Sequence, residues 1–192
     1  EDDGEYLAKL CVDAATRSEP SDVNITVRPG APVSDSFFTD GCIVDKSKMA
    51  HGMPDEILDA HIALIDSELT LPQLGQGVNL QFTDGTAADE YIAKRKTALV
   101  TIADTIVLSG ANVVLCMKDI DPIVAEHFTR SGVYAARRVA SSDIEAVALA
   151  TNGVIVSNPE EIIAADLGTC TKVYEKNFEL SPRPLLFFEG VP

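Results

Sequence analysis

Between residues 86 and 156, short apolar runs alternate with helix patterns that carry their own boundary signals. Apolar residues at helical spacing predict a long helix that ends near Gly110. Asp121 followed by Pro122 is typical of a helix N-terminus, and Gly132 is typical of its C-terminus. The apolar runs read as buried strands at 112–117, 133–135 and 154–156. This alternation predicts a mixed α/β domain.

Weaker patterns extend the α/β body at both ends. Apolar residues at helical spacing predict a helix over residues 5–17, and the apolar run at 62–65 predicts a further buried strand. Ser142 and Glu145 have the spacing of a capping box, which predicts the start of a helix that Asn152 ends. The remaining predicted elements are strands at 23–27 and 42–44, a short helix opened by Asn158 and Pro159, and a final β pair at 171–174 and 185–188.

Composition narrows the classes of function. The 30 acidic residues against 15 basic ones give a net charge of −15. Such a surface repels phosphate backbones and anionic lipid, so we expect neither a nucleic-acid partner nor a membrane partner. No apolar run reaches the length of a membrane span. Residues 1–5 are acidic, unlike a secretory signal, and the first residue is not Met, so we expect a fragment of a longer protein.

The cysteines predict packing rather than chemistry. Cys11, Cys42, Cys116 and Cys170 are far apart in the sequence, and the first three have apolar neighbours. None of the spacings is typical of a zinc site or a redox pair. We therefore expect buried, reduced thiols and a cytoplasmic protein.

No set of residues in the sequence converges on a catalytic or metal site. Gly75 and Gly77 begin like a dinucleotide-binding fingerprint, but the third glycine and the following helix start are missing. His51, His61 and His127 include no pair at metal-binding spacing.

Two other arrangements leave alternatives open. Asp119, Asp121 and His127 could serve acid–base chemistry in a small α/β enzyme, although on a capped helix such residues are more often packing or surface groups. Arg137 and Arg138 could clamp a phosphate or carboxylate. The favoured interpretation places one arginine on each face of a strand, where they pair with surplus carboxylates.

Several segments have amino-acid sequences that are more specific than any single motif. Residues 41–54 read GCIVDKSKMAHGMP, and residues 60–66 read AHIALID. A longer segment begins with SGANVVLCMKDID at 109–121 and includes GVYAARRV at 132–139. Shorter blocks follow at 126–127, 142–145, 148–153, 166–168 and 187–190. In their order and spacing these blocks resemble the apical domain of group II chaperonins, the archaeal thermosomes and their eukaryotic cytosolic relatives, with flanking intermediate-domain segments.

The resemblance implies a chaperonin apical-domain-like α/β body with an inserted lid protrusion and flanking β and helical segments. Residues 1–40 would be an intermediate-domain or connecting segment, 41–169 the apical domain, and 170–192 the return toward the intermediate domain. The protrusion would span residues 69–99. Its apolar lid residues would be Leu71, Leu74, Val78, Leu80 and Phe82.

The resemblance also implies a binding module, the client-binding and lid-forming part of a chaperonin that assists ATP-dependent protein folding. The helix after Asp121 and the loop at 49–54 would form the client surface, because a Gly-Pro loop usually lies at the surface and methionine adapts to varied partners. The client-binding residues would be Met49, Met53, Ile123, Val124 and Phe128. Core packing is the alternative for each of them, since helical spacing turns about half of such residues inward. Partners would be unfolded or partly folded proteins and, in the full-length protein, other subunits of a double ring. This part would hold no cofactor, whereas the full-length protein would bind ATP and Mg²⁺.

The chain departs from the family pattern in the protrusion. Pro72 and two glycines interrupt the expected helix, and Lys94, Arg95 and Lys96 stand where an acidic run is common. These departures predict a divergent subunit with an altered lid or client preference.

Overall fold

The computed structural model describes residues 3–17, 23, 25–29, 32–71, 85–178 and 183–192, and at 85–88 it describes the backbone alone. The helices are α1 (Asp3–Arg17), α2 (Gly85–Leu108), α3 (Pro122–Arg130) and α4 (Ser141–Thr151). The strands are β1 (Gly41–Val44), β2 (Glu56–Ile65), β3 (Val113–Cys116), β4 (Tyr134–Ala136), β5 (Ile155–Val156), β6 (Gly168–Lys176) and β7 (Leu185–Glu189). Short 3-10 turns lie at Val33–Asp35, Pro159–Glu161 and Ala164–Asp166.

The strands form a seven-stranded mixed sheet in the order β1-β7-β6-β2-β3-β4, with β5 beside the end of β2. Strand β2 is parallel to β3 and to β5 and antiparallel to β6. Strand β3 is parallel to β4, whereas β1, β7 and β6 are antiparallel neighbours. The prediction of a mixed α/β fold is confirmed, and so is the final β pair, which β6 and β7 form.

Helices cover both faces of the sheet. Along β2, Ala63 and Ile65 face the cluster that includes α2 and α3, whereas Ile62 and Leu64 face the cluster that includes α4. The chain path explains the two layers, because β2, β3 and β4 follow one another in one direction and α4 then returns the chain past β2 to β5. Helix residues buried in these clusters include Leu99, Ile106 and Phe128 on the first face and Ile144 and Val147 on the second.

Helix α3 has the boundaries that its capping residues predict. The Asp121 carboxylate accepts a hydrogen bond from the Ile123 N–H at 2.9 Å, and Pro122 is the first helical residue. Gly132 follows the helix with a φ of 70°, a left-handed conformation that glycine adopts without steric cost.

Two local predictions were wrong. The run at 23–27 was expected to be a strand, but its described residues belong to no strand, since β propensity alone supplies no hydrogen-bonding neighbour. The capping box of Ser142 and Glu145 does not form. Helix α4 begins two residues earlier, with Ala140, which has no side-chain oxygen, as its N-cap, and the Ser141 hydroxyl donates to the Glu145 carboxylate at 2.8 Å.

The N-terminal segment packs on the sheet through aromatic rings. The ring of Phe37 stacks on that of Phe187 in β7 at a centroid distance of 6.1 Å, and the Lys176 ammonium lies 4.2 Å from the Phe37 ring centroid. The Tyr6 hydroxyl of α1 donates to the Ser36 carbonyl at 2.6 Å. Strands β6 and β7, which residues 170–192 largely supply, are inner strands of the sheet. The division at 40 and 169 stays a prediction.

Neither a membrane-spanning helix nor a metal-binding cluster occurs among the described residues. No helix among them is long and apolar enough to cross a membrane. No three His, Cys, Asp or Glu side chains of this part of the chain gather in a group that could hold a metal ion.

The cysteines differ in exposure, and this corrects the expectation that all four are buried. Cys116 and Cys170 are buried and Cys42 is half-buried, but Cys11 is exposed because α1 buries only Ala14. Burial raises the pKa of the Cys42 thiol to about 12 and the pKa values of the Cys116 and Cys170 thiols to about 11.

We expect iodoacetamide at about pH 8 to modify Cys11 alone in the native chain, because the thiolate is the reactive form and buried thiols with raised pKa values stay protonated. Mass spectrometry of peptides measures the modification at each cysteine. Unfolding in urea should make all four cysteines reactive. Rapid modification of Cys116 in the native chain would contradict the packing of β3.

We also expect Gly41→Ala to destabilise the sheet far more than Gly110→Ala. Both glycines have left-handed φ values, 147° and 96°, so an added Cβ strains either position. At Gly41 the Cβ would also lie 1.8 Å from the Phe188 carbonyl oxygen, whereas nothing lies within 4 Å at Gly110. Urea unfolding should show a loss of about 1 kcal/mol for Gly110→Ala and clearly more for Gly41→Ala. Equal losses would show that the clash is relieved at no cost.

Candidate functional site

Helix α3 and the loop at 45–55 lie together, and this loop includes residues 49–54, which the resemblance assigns with α3 to a client surface. A Cβ on Gly52 would come within 2.8 Å of the Thr129 methyl group, so the loop backbone touches α3. The Met49 N–H donates to the Ala135 carbonyl of β4 at 2.9 Å. The loop is therefore fixed against both the helix and the strand that follows it.

Lys48 closes this loop from within. Its ammonium donates to the Met53 carbonyl at 3.0 Å and pairs with the Asp55 carboxylate. Its backbone N–H donates to the Glu175 carboxylate at 2.5 Å. The loop thus has one anchor inside itself and one on β6.

Glu175 is the residue of this site that the sequence did not reveal. The same carboxylate oxygen that receives the Lys48 N–H also accepts the Tyr134 hydroxyl at 2.9 Å. Burial and then the negative charge of Glu175 raise the pKa of Tyr134, which keeps this hydroxyl protonated as a donor. The partners lie 127 and 41 positions from Glu175, so no local pattern could have indicated them.

The predicted client-binding residues divide into two groups. Met53, Val124 and Phe128 are buried in the core cluster with exposed fractions of 2% or less, which corrects the expectation that their side chains are exposed. Their burial follows from helical spacing on α3 and from the anchors of the loop. Met49 and Ile123 are only partly buried and pack at the edge of the same cluster.

Of the predicted lid residues, the structure describes Leu71 alone. Its side chain is half-buried and packs against the core cluster. Leu74, Val78, Leu80 and Phe82 lie outside the described residues.

A cleft of about 530 Å³ opens where β2 and β3 end, beside the start of α3. Arg95 of α2 and Arg137, which follows β4, line it together with Glu68, Asp119 and Asp121. The Arg95 guanidinium and the Asp121 carboxylate are 3.9 Å apart. The cleft therefore carries charges of both signs.

Asp119 binds both arginines that follow β4, which corrects the expectation of one arginine on each strand face. Arg138 contacts both carboxylate oxygens of Asp119, through Nε at 3.1 Å and Nη2 at 2.5 Å, and Arg137 Nη1 contacts one at 3.1 Å. These hydrogen bonds lower the pKa of Asp119 below its ordinary value of 3.8, and the bond from Arg138 contributes most. Arg138 has a left-handed φ of 54°, which the Asp119 contact and the bond from its own N–H to the Lys118 carbonyl hold in place.

The residues of the alternative acid–base site have structural partners. Asp121 caps α3, and Asp119 is held by the two arginines. His127 Nε2 lies 2.8 Å from the Asp104 carboxylate and joins α3 to α2. Each group thus has a role in packing.

Comparison with known proteins gives the family. The sequence matches the TCP-1/cpn60 chaperonin family over residues 1–191. The chain belongs to this family. It is 37% identical to thermosome subunit beta of Thermoplasma acidophilum over 151 residues, which are 79% of this chain and 28% of that protein. It is 32% identical to thermosome subunit beta of Sulfolobus acidocaldarius over 196 residues, covering 97% of this chain and 35% of that protein.

The fold of this chaperonin chain also has a solved counterpart. The open-state monomer of a group II chaperonin from Methanococcoides burtonii matches 85% of this chain and 34% of its own with a TM-score of 0.65 and 26% identity. The predicted resemblance to group II chaperonins and the fold class are confirmed. The chain spans about a third of the length of these relatives. The Sulfolobus protein, for example, matches 97% of this chain, and the match covers 35% of that protein.

Burial of Met53 leads to a stability prediction. Met53→Glu should lower the free energy of unfolding by about 3 kcal/mol or more, because it would bury an unpaired carboxylate. Met53→Leu, which keeps volume and polarity, should cost less than about 1.5 kcal/mol. Met49→Glu should cost about 1 kcal/mol, since its side chain reaches solvent. Urea unfolding measures all three, and a Met53→Glu chain as stable as the Met49→Glu chain would contradict the burial.

Proposed function

We propose that this chain is the client-binding and lid-bearing apical part of a group II chaperonin subunit that assists ATP-dependent protein folding. The family match over residues 1–191 is the observation that carries this proposal. The joined α3 and 45–55 loop support it, since they bring two partly exposed apolar side chains, Met49 and Ile123, to the edge of one core.

The client surface that we propose is smaller than the sequence indicated. Met53, Val124 and Phe128 support it from below, and Met49 and Ile123 supply the accessible apolar atoms. Methionine suits contact with varied sequences because its side chain is unbranched and polarizable. Covering exposed apolar area stabilises a complex by about 25 cal/mol per Å², so two side chains give weak binding. A ring that presents many copies would multiply that affinity.

The lid and the remaining parts of the machine belong to the same proposal. Residues 69–99 would form the protrusion, with Leu71 at its packed root. ATP and Mg²⁺ would bind in the part of the longer protein that this chain does not include. Other subunits would complete a double ring in the cytoplasm, and the chain alone would not turn over ATP.

The test is capture of a permanently unfolded, reduced and alkylated model protein by the 192-residue chain without nucleotide. We expect weak binding that Met49→Glu and Ile123→Glu reduce about threefold or more each, since a charge opposes apolar contact. Fluorescence anisotropy of the labelled model protein measures the affinity.

Leu149→Glu provides the matched control. Leu149 is 75% exposed on α4, which packs on the other face of the sheet, so this variant should bind as the parent chain does. Equal loss in all three variants would indicate general repulsion of the client, and unchanged binding in Met49→Glu and Ile123→Glu would remove this surface from the proposed function.

A further inference from the structure

The charged cleft beside α3 is not accounted for by the apolar client surface. It lies at the carboxyl ends of the parallel strands β2 and β3, the edge at which open α/β sheets most often bind ligands. Arg95 and Arg137 line it from different elements, and Ile120 and Pro122 contribute apolar atoms. The cleft therefore offers cationic groups beside apolar surface.

Both arginines of the cleft have hydrogen-bonding capacity that the described contacts leave unused. A guanidinium has five N–H donors. Arg138 engages both oxygens of Asp119, so Arg137 makes one bond to that carboxylate and keeps its other donors. Arg95 approaches Asp121 only at 3.9 Å, beyond hydrogen-bond distance. The side chains of Arg95 and Arg137 are 35% and 45% exposed, so a ligand can reach them.

The carboxylates around the cleft are already bound. Asp121 accepts the Ile123 N–H, Glu68 accepts the Thr70 hydroxyl at 3.2 Å, and Asp119 accepts from two arginines. The lining has two guanidinium groups and three carboxylates, and Arg138 pairs with Asp119 from outside the lining, so the local charge is close to zero in a chain whose net charge is −15. An anionic ligand therefore meets less repulsion here than on a surface of average charge.

We propose that this cleft binds carboxylate side chains of client segments, with Arg95 and Arg137 as the two anchors. The proposal rests on the proposed function, because it names a class of client for the same part of the molecule. Guanidinium groups pair with carboxylates in a planar two-bond geometry, and the apolar atoms of the cleft suit the methylene groups of a glutamate. Acidic extended segments are then held beside the apolar surface of α3.

A labelled oligoglutamate peptide with Gly-Ser flanks tests the proposal by fluorescence anisotropy, with the oligoglutamine peptide as the uncharged counterpart. We expect the glutamate peptide to bind the 192-residue chain and the glutamine peptide to bind about tenfold more weakly. Arg95→Gln and Arg137→Gln should each weaken glutamate binding about tenfold, and added NaCl should weaken it further. Lys96→Gln removes the same charge from an exposed position of α2 outside the cleft and should leave the affinity nearly unchanged.

Equal weakening by Lys96→Gln and the two arginine variants would overturn the proposal, because it would show attraction without a site. Absence of glutamate-peptide binding would overturn it as well. Full competition by glutarate or inorganic phosphate at concentrations equal to the peptide would assign the cleft to small anions instead of client segments. Arg95→Lys and Arg137→Lys, which keep the charge without the planar fork, should give intermediate affinities and serve if a glutamine variant lowers the thermal midpoint.

Capture of the unfolded model protein separates the two proposals. Loss of peptide binding in the arginine variants with persistent capture through Met49 and Ile123 supports both of them. Peptide binding without any capture by the parent chain would contradict the client-binding function and leave an acidic-peptide site.

Discussion

The position of β2 at the centre of the sheet is the constraint on which the rest of the structure depends. Residues 62–65 of this strand are completely buried and pair with β3 on one side, while Leu64 and Ile65 pair with β5 on the other and residues 56–62 pair with β6. Side chains of this one strand enter both core clusters in alternation. A shift of β2 by one residue would exchange the two sets of side chains, so both helical layers fix its register.

Local signals in the sequence predicted the elements that they directly control. Asp121, Pro122 and Gly132 act within one turn of α3, so their pattern was sufficient to place that helix. Ser142 and Glu145 have an equally good spacing, but α4 starts earlier, and the Glu145 carboxylate accepts the Ser141 hydroxyl instead of completing a capping box. The apolar run at 23–27 shows the same limit, since a strand requires a neighbour that the sequence does not name.

The sequence indicated the two segments of the candidate site but not which of their residues are exposed. The resemblance to group II chaperonins named α3 and the loop between β1 and β2, and these two segments are in contact. The expectation that a Gly-Pro loop exposes its methionines failed at Met53, whose burial depends on contacts to Lys48 and, through Lys48, to β6. Asp119 binds Arg137 and Arg138 because the ends of β3 and β4 lie side by side, and the sequence alone does not show this.

The bond network of Glu175 has a mechanical consequence. One carboxylate on β6 holds the backbone of the loop at Lys48 and the hydroxyl of Tyr134 on β4, and the Met49 N–H adds a second tie to β4. A pull on the loop is therefore resisted by strands on both sides of β2 rather than by the bending of a flexible segment. Because the loop is held in this way, it would move with the sheet as a rigid unit. A rotation of the sheet would therefore displace a molecule bound to the loop.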